Sequence, residues 1–214
     1  MKKILLTLAA LFGSTLTILA QNGNLLATFK TGPQAGKLTL TLASTERPTD
    51  YSVDFGDGNI VRKGTTEPFD GWDGSVDIEG TPAAGSTVKM YSGGTITYME
   101  VVGKATESQI ETADLTKLTQ LTELDLHANK LTTIDLSQNT KLKKLDLSRN
   151  ELTALDLSNN TALTQLDLNS NTTLSALDLS NNTALTKLTL SKCLMPTLDL
   201  SGNKLLRSCY LLDM

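Results

Sequence analysis

The chain repeats a three-residue segment eight times between Leu124 and Leu200, at intervals of ten or eleven residues. Each copy has an apolar residue first and leucine third, with aspartate between them in seven of the eight copies. The copies begin at Leu124, Ile134, Leu145, Leu155, Leu166, Leu177, Leu188 and Leu198. Alternation places both apolar side chains on one face, as in a short strand. Because one such strand cannot bury its leucines alone, the copies are expected to stack around a common core.

A column of asparagines accompanies these copies. Five residues after each first apolar position stands asparagine, or Cys193 in one copy, and another apolar residue stands three residues before it. The unit reads L-x-x-L-x-L-x-x-N/C-x-L, which resembles the leucine-rich repeat. We expect the buried asparagine amides to bond peptide groups of their own and neighbouring coils. A thiol is a weak hydrogen-bond donor, so the coil that contains Cys193 should be the least stable of the column.

Two copies are expected to form one coil of 21 or 22 residues, because leucine-rich repeats need at least about twenty residues per coil. We call the copies that begin at Leu124, Leu145, Leu166 and Leu188 the odd segments. The even segments begin at Ile134, Leu155, Leu177 and Leu198. Outward positions are nearly uniform in the even segments, with Thr or Ala, then Asp, then Ser, whereas they vary in the odd segments.

The odd segments are the better candidate for a ligand-binding face, because repeat proteins hold core positions constant and vary exposed ones. The predicted ligand-binding residues lie just before or after these segments: Glu123, His127, Lys144, Arg149, Gln165, Asn169, Lys187 and Lys192. Neutral variation on a solvated face is the alternative interpretation, since one sequence does not separate the two.

The first twenty residues have the three parts of a secretory signal peptide: Lys2 and Lys3, an apolar run, and small or apolar residues ending at Ala20. Cleavage before Gln21 leaves 17 basic residues against 23 acidic ones, a net charge of −6. That charge disfavours nucleic acid and anionic membranes as partners. No later segment approaches eighteen apolar residues, so we predict no membrane insertion after cleavage and a secreted or cell-surface location.

Residues 21–95 contain most of the glycines, prolines and aromatic residues of the mature chain. Alternating runs at residues 38–42 and 88–90 predict half-buried strands of a small β-sandwich. Between them, residues 53–58 read V-D-F-G-D-G and predict a tight turn with positive φ at Gly56 and Gly58. This turn resembles that of PKD-like β-sandwich domains, which implies a non-catalytic extracellular module. Four aspartates near it are a candidate calcium group, with turn formation as the alternative: Asp54, Asp57, Asp70 and Asp73.

The solenoid is predicted to begin before its regular copies, because terminal repeats that cap a core are often atypical. Two irregular copies fit the apolar positions and the asparagine slot: Ile96, Met99, Val101 and Lys104, then Ile110, Ala113, Leu115 and Leu118. The expected chain is mainly β. It has a signal peptide at residues 1–20, a β-sandwich-like domain at 21–95, and a leucine-rich repeat solenoid with short parallel strands at 96–214.

Residues 96–211 resemble the short-repeat bacterial leucine-rich repeat proteins of the internalin type, which are displayed on cell surfaces. The resemblance implies an exported recognition or adhesion protein that binds protein, or glycan, on a host or neighbouring cell. From Met99 to Cys209 there is no Phe, Tyr or Trp, although aromatic residues dominate interface hot spots. The alternative is a structural spacer without a ligand of its own.

Little in the sequence supports catalysis. His127 is the only histidine, and most Ser and Asp residues belong to the periodic pattern. We therefore predict no enzyme, no catalytic residues and no cofactor. No metal site is predicted either, because a flat column of aspartates offers a line of oxygens rather than a cage. Cys193 and Cys209 are sixteen residues apart, about three quarters of a coil, and are predicted to be unpaired, core-filling thiols.

Apolar residues near the C-terminal end start a further coil: Leu205, Leu206, Cys209, Leu211 and Leu212. The open core of that coil would face water, which is unfavourable for a large apolar surface. The sequence thus predicts either end-to-end pairing of two copies or a shortened form of a longer protein.

Overall fold

A computed structural model describes residues 24–33, 36–43, 50–58, 60–64, 76–92, 95–103 and 109–212. The predicted signal peptide, Lys104, Asp70 and Asp73 lie outside the described residues. The described residues form thirteen strands and no helix. The strands are β1 (Asn24–Thr31), β2 (Leu38–Ala43), β3 (Asp50–Asp54), β4 (Ile60–Gly64), β5 (Val76–Gly80), β6 (Thr87–Ser92), β7 (Tyr98–Glu100), β8 (Ile110–Asp114), β9 (Glu123–Asp125), β10 (Lys144–Asp146), β11 (Gln165–Asp167), β12 (Lys187–Thr189) and β13 (Ser208–Tyr210).

The strands form two sheets. One is antiparallel and has the order β4-β3-β6-β1-β8. The other has the order β13-β12-β11-β10-β9-β7-β2-β5, with parallel pairs from β13 to β7 and antiparallel pairs from β7 to β5. The prediction of a mainly β chain with a leucine-rich repeat solenoid is confirmed.

The N-terminal strands follow the alternation of apolar residues. Leu38, Leu40 and Leu42 of β2 are at most 1% exposed, while the threonines between them are partly exposed. After β3, the turn has positive φ at Gly56 (93°) and Gly58 (79°), as predicted. Asp54 Oδ1 accepts the N–H groups of both glycines at 2.8 and 3.2 Å. This carboxylate therefore stabilises the turn, as the turn-formation alternative expects.

The odd segments stack as β9 to β12 in a parallel ladder. Lys144 pairs with Glu123 and with Gln165, and each strand places one leucine in the core. Leu145 and Leu166 of this column are at most 2% exposed. Equivalent hydrogen bonds recur after 21 or 22 residues, which confirms two copies per coil.

The prediction that every copy forms a strand is wrong for the even segments that begin at Ile134, Leu155, Leu177 and Leu198, none of which is a strand. Their coils are joined largely by side chains instead. Asn160 Nδ2 donates to the carbonyl oxygens of Leu136 and Asn139, in the preceding coil, at 3.0 and 2.9 Å. These side-chain bonds join successive coils where no strand ladder does.

The first coil joins the solenoid to the N-terminal strands. β7 pairs with β9 in parallel on one side and with β2 antiparallel on the other. β8 is the first even segment, and it forms a strand because β1 provides an antiparallel partner. A single cluster of buried residues extends from Ala27 to Met195. The predicted boundary between residues 95 and 96 thus lies within a continuous core, and the division into two domains stays a prediction.

Both cysteines are free, as predicted. Cys193 is buried and takes the place of an asparagine, with Sγ 3.4 Å from the carbonyl oxygen of Leu168. The prediction that both thiols fill the core is wrong for Cys209, which is exposed. Cys209 pairs with Leu188 in the leucine column, but among the described residues no coil covers its other side. Other large apolar side chains are exposed in this last part: Leu194, Leu205, Tyr210, Leu211 and Leu212.

Candidate functional site

The outward residues of β7 and β9 to β12 form one surface, which we call the odd face. Its first row comes from the first residue of each strand: Tyr98, Glu123, Lys144, Gln165 and Lys187. Because the strands are in register, four predicted ligand-binding residues lie side by side. The row borders a shallow groove of about 270 Å³, which spans the strands from β7 to β12.

A second row consists of the third residues of the strands, which are carboxylates in β7 and β9 to β11 and Thr189 in β12: Glu100, Asp125, Asp146 and Asp167. All four side chains are half-buried. In Asp125, Asp146 and Asp167, Oδ1 accepts the backbone N–H two residues later at 2.9 to 3.0 Å. Burial raises the pKa of Asp167, and the neighbouring charge of Asp146 raises it further. Asp125, Asp146 and Asp167 line the groove, which makes its floor acidic.

The first row carries charges of both signs, from Glu123, Lys144 and Lys187. Lys144 Nζ lies 2.8 Å from Glu123 Oε1, and both side chains are substantially exposed. Such an exposed pair contributes little to stability, at most about 1 kcal/mol. Lys187 is exposed at the far end of the row. The groove thus presents cations and an amide at its border and carboxylates on its floor, which suits a polar ligand.

His127 lies directly after β9, where the other coils have Ser148, Asn169 and Ser191. Its ring Nδ1 is 2.8 Å from Asp125 Oδ1, so the ring folds back over the carboxylate row. Asp146 completes a cluster in which one candidate ligand atom from each of the three residues lies within 4.8 Å of the other two. Asn169 is also half-buried, and neither of these two predicted residues lines the groove.

Arg149 and Lys192 occupy a turn that follows the odd strands. Both have positive φ, 55° and 59°, as do Ala128 and Ser170 in the same turn of other coils. This conformation is unusual for residues other than glycine, and it costs on the order of 1 kcal/mol. The two cations are exposed but belong to the rim of the solenoid, and neither lines the groove.

Two aromatic residues, one in β7 and one in β13, were missed by the sequence analysis. Tyr98 lines the groove, and its hydroxyl donates to Glu100. Burial and that hydrogen bond to Glu100 raise the pKa of the Tyr98 hydroxyl. Tyr210, 55% exposed, pairs with Thr189 in the second row. The sequence offered one signal: each of these tyrosines lies one residue outside the stretch that lacks aromatic residues, in register with the repeat.

The even segments present a different surface. Ile134, Leu155 and Leu177 are only half-buried and border a shallow depression of about 570 Å³. Backbone and hydroxyl groups of Ser158 donate to Asp156 and lower the pKa of its carboxyl. The same arrangement lowers the pKa of Asp178 beside Ser180. These aspartates stabilise turns, which supports a scaffold role for this surface.

Comparison with solved structures finds the functional domain of InlJ from Listeria monocytogenes, described as including a cysteine ladder. It has 30% sequence identity and a TM-score of 0.50, over 54% of this chain and 25% of that one. The repeats form a leucine-rich repeat solenoid like that of this internalin. A second match, internalin C2 (InlC2) from the same species, has 20% identity and a TM-score of 0.38, over 54% of this chain and 61% of that one.

The internalin-like match has limits. This chain spans about a quarter of the InlJ domain that it matches. No protein-family model matches the chain, and no curated protein sequence does either. The PKD-like assignment of the N-terminal region stays a prediction. Within the ranges that the structure describes, no helix is long and apolar enough to cross a membrane.

Proposed function

We propose that the chain is an exported, non-catalytic recognition or adhesion protein that binds protein, or glycan, on a host or neighbouring cell through the odd face. The observation that carries the proposal is the groove between β7 and β12. Four predicted ligand-binding residues, whose positions vary in residue type from coil to coil, line it: Glu123, Lys144, Gln165 and Lys187. Polar groups that converge on one concave surface are typical of binding sites.

The side chains of the odd face are also held at a more regular spacing than those of the even segments, which favours recognition. Its side chains project from a hydrogen-bonded ladder whose register fixes their spacing at about 4.8 Å. Tyr98 and Tyr210 add large, half-exposed aromatic surfaces at the two ends of the odd face, and aromatic residues contribute strongly to interfaces. The similarity to InlJ supports a protein-interaction role.

Adhesion of coated beads tests this function. Fluorescent beads carrying residues 21–214 are expected to bind cultured animal cells or bacterial cells, or the free chain is expected to bind a glycan array. Replacing Lys144 and Lys187 by alanine should reduce binding at least about tenfold if these side chains contact the ligand. The matched control is Ala154→Glu with Ala176→Glu, which also lowers the net charge by two but changes the even face. If both double variants bind equally well, the odd face is not the binding surface.

The spacer function remains the second candidate, and one observation favours it. β7 is hydrogen-bonded to β2 and to β9 at once, so the solenoid and the N-terminal strands share one sheet. A continuous sheet holds its two ends at a fixed distance, as a spacer requires. Binding that survives every change of the odd face and is lost with changes in the N-terminal loops would support the spacer.

Pairing of two copies through the last coil stays a prediction. The exposed Leu194, Leu205 and Leu212 support it, since they are 56 to 67% exposed, and β13 is the last strand of its sheet among the described residues. Size-exclusion chromatography with light scattering should give a dimer mass for residues 21–214. Replacing Leu205 and Leu212 by lysine should return the particle to a monomer, and a monomer of the parent chain at high concentration would reject pairing.

A further inference from the structure

We propose that Asp125, His127 and Asp146 form a binding site for one divalent transition-metal ion, with zinc as the best fit. The site lies at the N-terminal end of the odd face. It is independent of the proposed adhesion function, because metal binding is measurable without any macromolecular ligand. It also departs from the sequence-based prediction of no metal site.

The first support is distance. Imidazole Nδ1 and one oxygen of each carboxylate lie within 4.8 Å of one another. Around a tetrahedral zinc ion with bonds of about 2.0 to 2.2 Å, ligand atoms are about 3.4 Å apart. The 2.8 Å distance from His127 Nδ1 to Asp125 Oδ1 shows that the ring already lies against this carboxylate. Small side-chain rotations would therefore bring all three atoms to bonding distance.

The second support is that the backbone holds both carboxylates in place. Asp125 Oδ1 accepts the N–H of His127, and Asp146 Oδ1 accepts the N–H of Ser148, both at 2.9 Å. These bonds fix the carboxylate planes from behind, as hydrogen bonds to metal ligands do in known sites. They involve only one oxygen of each carboxylate, which leaves the second oxygen of each for a cation.

The third support is the identity of the donors. An imidazole nitrogen with two carboxylates suits zinc, cobalt or nickel, whereas calcium and magnesium prefer oxygen donors only. Three protein ligands leave at least one coordination position open. A water molecule, or a side chain of a bound partner, would complete the shell. Asp125 and Asp146 line the groove and His127 flanks it, so the open position lies beside the groove.

The position of the histidine separates this site from the rest of the acidic row. The other coils have serine or asparagine in its place, at Ser148, Asn169 and Ser191. The pair of Asp146 and Asp167 is thus a carboxylate pair without an imidazole. The chain therefore supplies an internal control for simple attraction of cations to a row of acids.

Isothermal titration of untagged residues 21–214 with zinc chloride tests the site, in a Cys209→Ser background that removes the exposed thiol. One zinc ion per chain is expected. His127→Ser copies the residue of the next coil, so that folding is retained, and it should weaken zinc binding at least about tenfold. Asp167→Asn should change the affinity less than about twofold. A tenfold excess of calcium should leave the zinc titration unchanged.

A gain of binding makes the test symmetrical. In the His127→Ser background, Ser148→His places a ring beside Asp146 and Asp167, and it should restore the binding of one zinc ion per chain. The proposal is overturned if the parent chain binds no zinc, if His127→Ser binds as well as the parent, or if Asp167→Asn loses as much affinity as Asp146→Asn. Displacement of zinc by calcium would equally overturn it, since that would indicate an unspecific acidic row.

Discussion

The two halves of each coil have nearly the same sequence pattern and different structures. Odd segments form three-residue strands in a parallel ladder, whereas the even segments from Ile134 onward form none. In both halves the third leucine of the segment, such as Leu147 and Leu157, is buried in one cluster. The two halves therefore differ in their backbone hydrogen bonds and in the contacts of their asparagines. Apolar periodicity determines which residues are buried, but it does not determine which backbone groups are paired.

The two asparagine columns show how the halves differ. In the odd column, Asn150 Nδ2 donates to the carbonyls of Leu126 and Leu147, and its Oδ1 accepts the N–H of Leu131 at 3.1 Å. In the even column, Nδ2 donates to two carbonyls, but the buried Oδ1 accepts no hydrogen bond from any described residue. These residues are Asn139, Asn160, Asn182 and Asn203. The even column is therefore less completely satisfied.

The largest expected effect tests whether the two halves share one core. Leu168→Asp in an odd segment and Leu157→Asp in an even segment should each lower the free energy of unfolding by about 4 kcal/mol or more, because a charge is buried without a partner. Both should unfold several coils, since each coil is stabilised by its neighbours. Circular dichroism and hydrogen exchange would measure this. Damage confined to one coil would show that the halves are independent.

A smaller effect separates the asparagine columns. Asn150→Ala should cost about 3 kcal/mol, because it leaves the Leu131 N–H without a partner. Asn160→Ala should cost only about 1 to 2 kcal/mol, because Asn139 and Leu136 carbonyls also accept backbone N–H groups, from Leu142 and Asn139. Urea unfolding of both variants measures the difference. Equal costs would remove the distinction between the columns.

Cys193→Asn should restore the interrupted odd column. The thiol lies 3.4 Å from the Leu168 carbonyl and 3.9 Å from that of Ser191, and thiols are weak donors. An amide should bond both more strongly and raise the stability by about 0.5 to 1 kcal/mol. Cys193→Ala serves as the control and should lower it. A melting temperature of Cys193→Asn below that of the parent would show that the sulfur is better fitted than an amide.

The smallest effect is a difference in pH dependence between the aspartates of the two halves. Hydrogen bonds from Ser158 lower the pKa of Asp156, so its ionised form adds stability that is present at neutral pH and lost as pH falls through the folded-state pKa. Asp156→Asn should thus lower the melting temperature at pH 7, and the difference should shrink below about pH 4.

Asp167 should behave in the opposite way. Burial raises the pKa of Asp167, so its ionised form opposes folding at neutral pH and the opposition ends as pH falls through the raised pKa. Asp167→Asn keeps an oxygen that accepts the Asn169 N–H, and it should raise the melting temperature at pH 7. That gain should vanish in acid. Thermal melts from pH 3 to pH 8 compare the two variants, and the same sign for both would contradict the comparison.

Much of the core could be predicted from the sequence. Leucine positions such as Leu145 and Leu166, the asparagine column and the glycine turn at residues 56–58 follow from local periodicity or backbone preference. The missing strands of the even segments could not be predicted, because the L-D-L pattern is the same in both halves. Only contacts with neighbouring coils distinguish them.

Long-range pairing explains the other misses. The register of β7 against β2 and β9 makes Tyr98 part of the odd face, and no local pattern marks that residue. Likewise, the sequence shows that His127 follows an outward position, but not that its ring folds toward Asp125. The candidate site was predicted where it depends on repeat position, as at Lys144, and missed where it depends on side-chain orientation.

Amide hydrogen exchange, followed by NMR on residues 21–214, tests the central comparison most directly. The amides of Leu126, Leu147 and Leu168 donate to carbonyls of the next coil at 2.9 Å, so they should exchange at the rate of global unfolding. The amides of Ile134, Leu155 and Leu177 have no such backbone partner in the described part of the chain, and they should exchange faster. Equal protection of the two sets would contradict the account, because it would mean that both halves of the coil are ladders of the same kind.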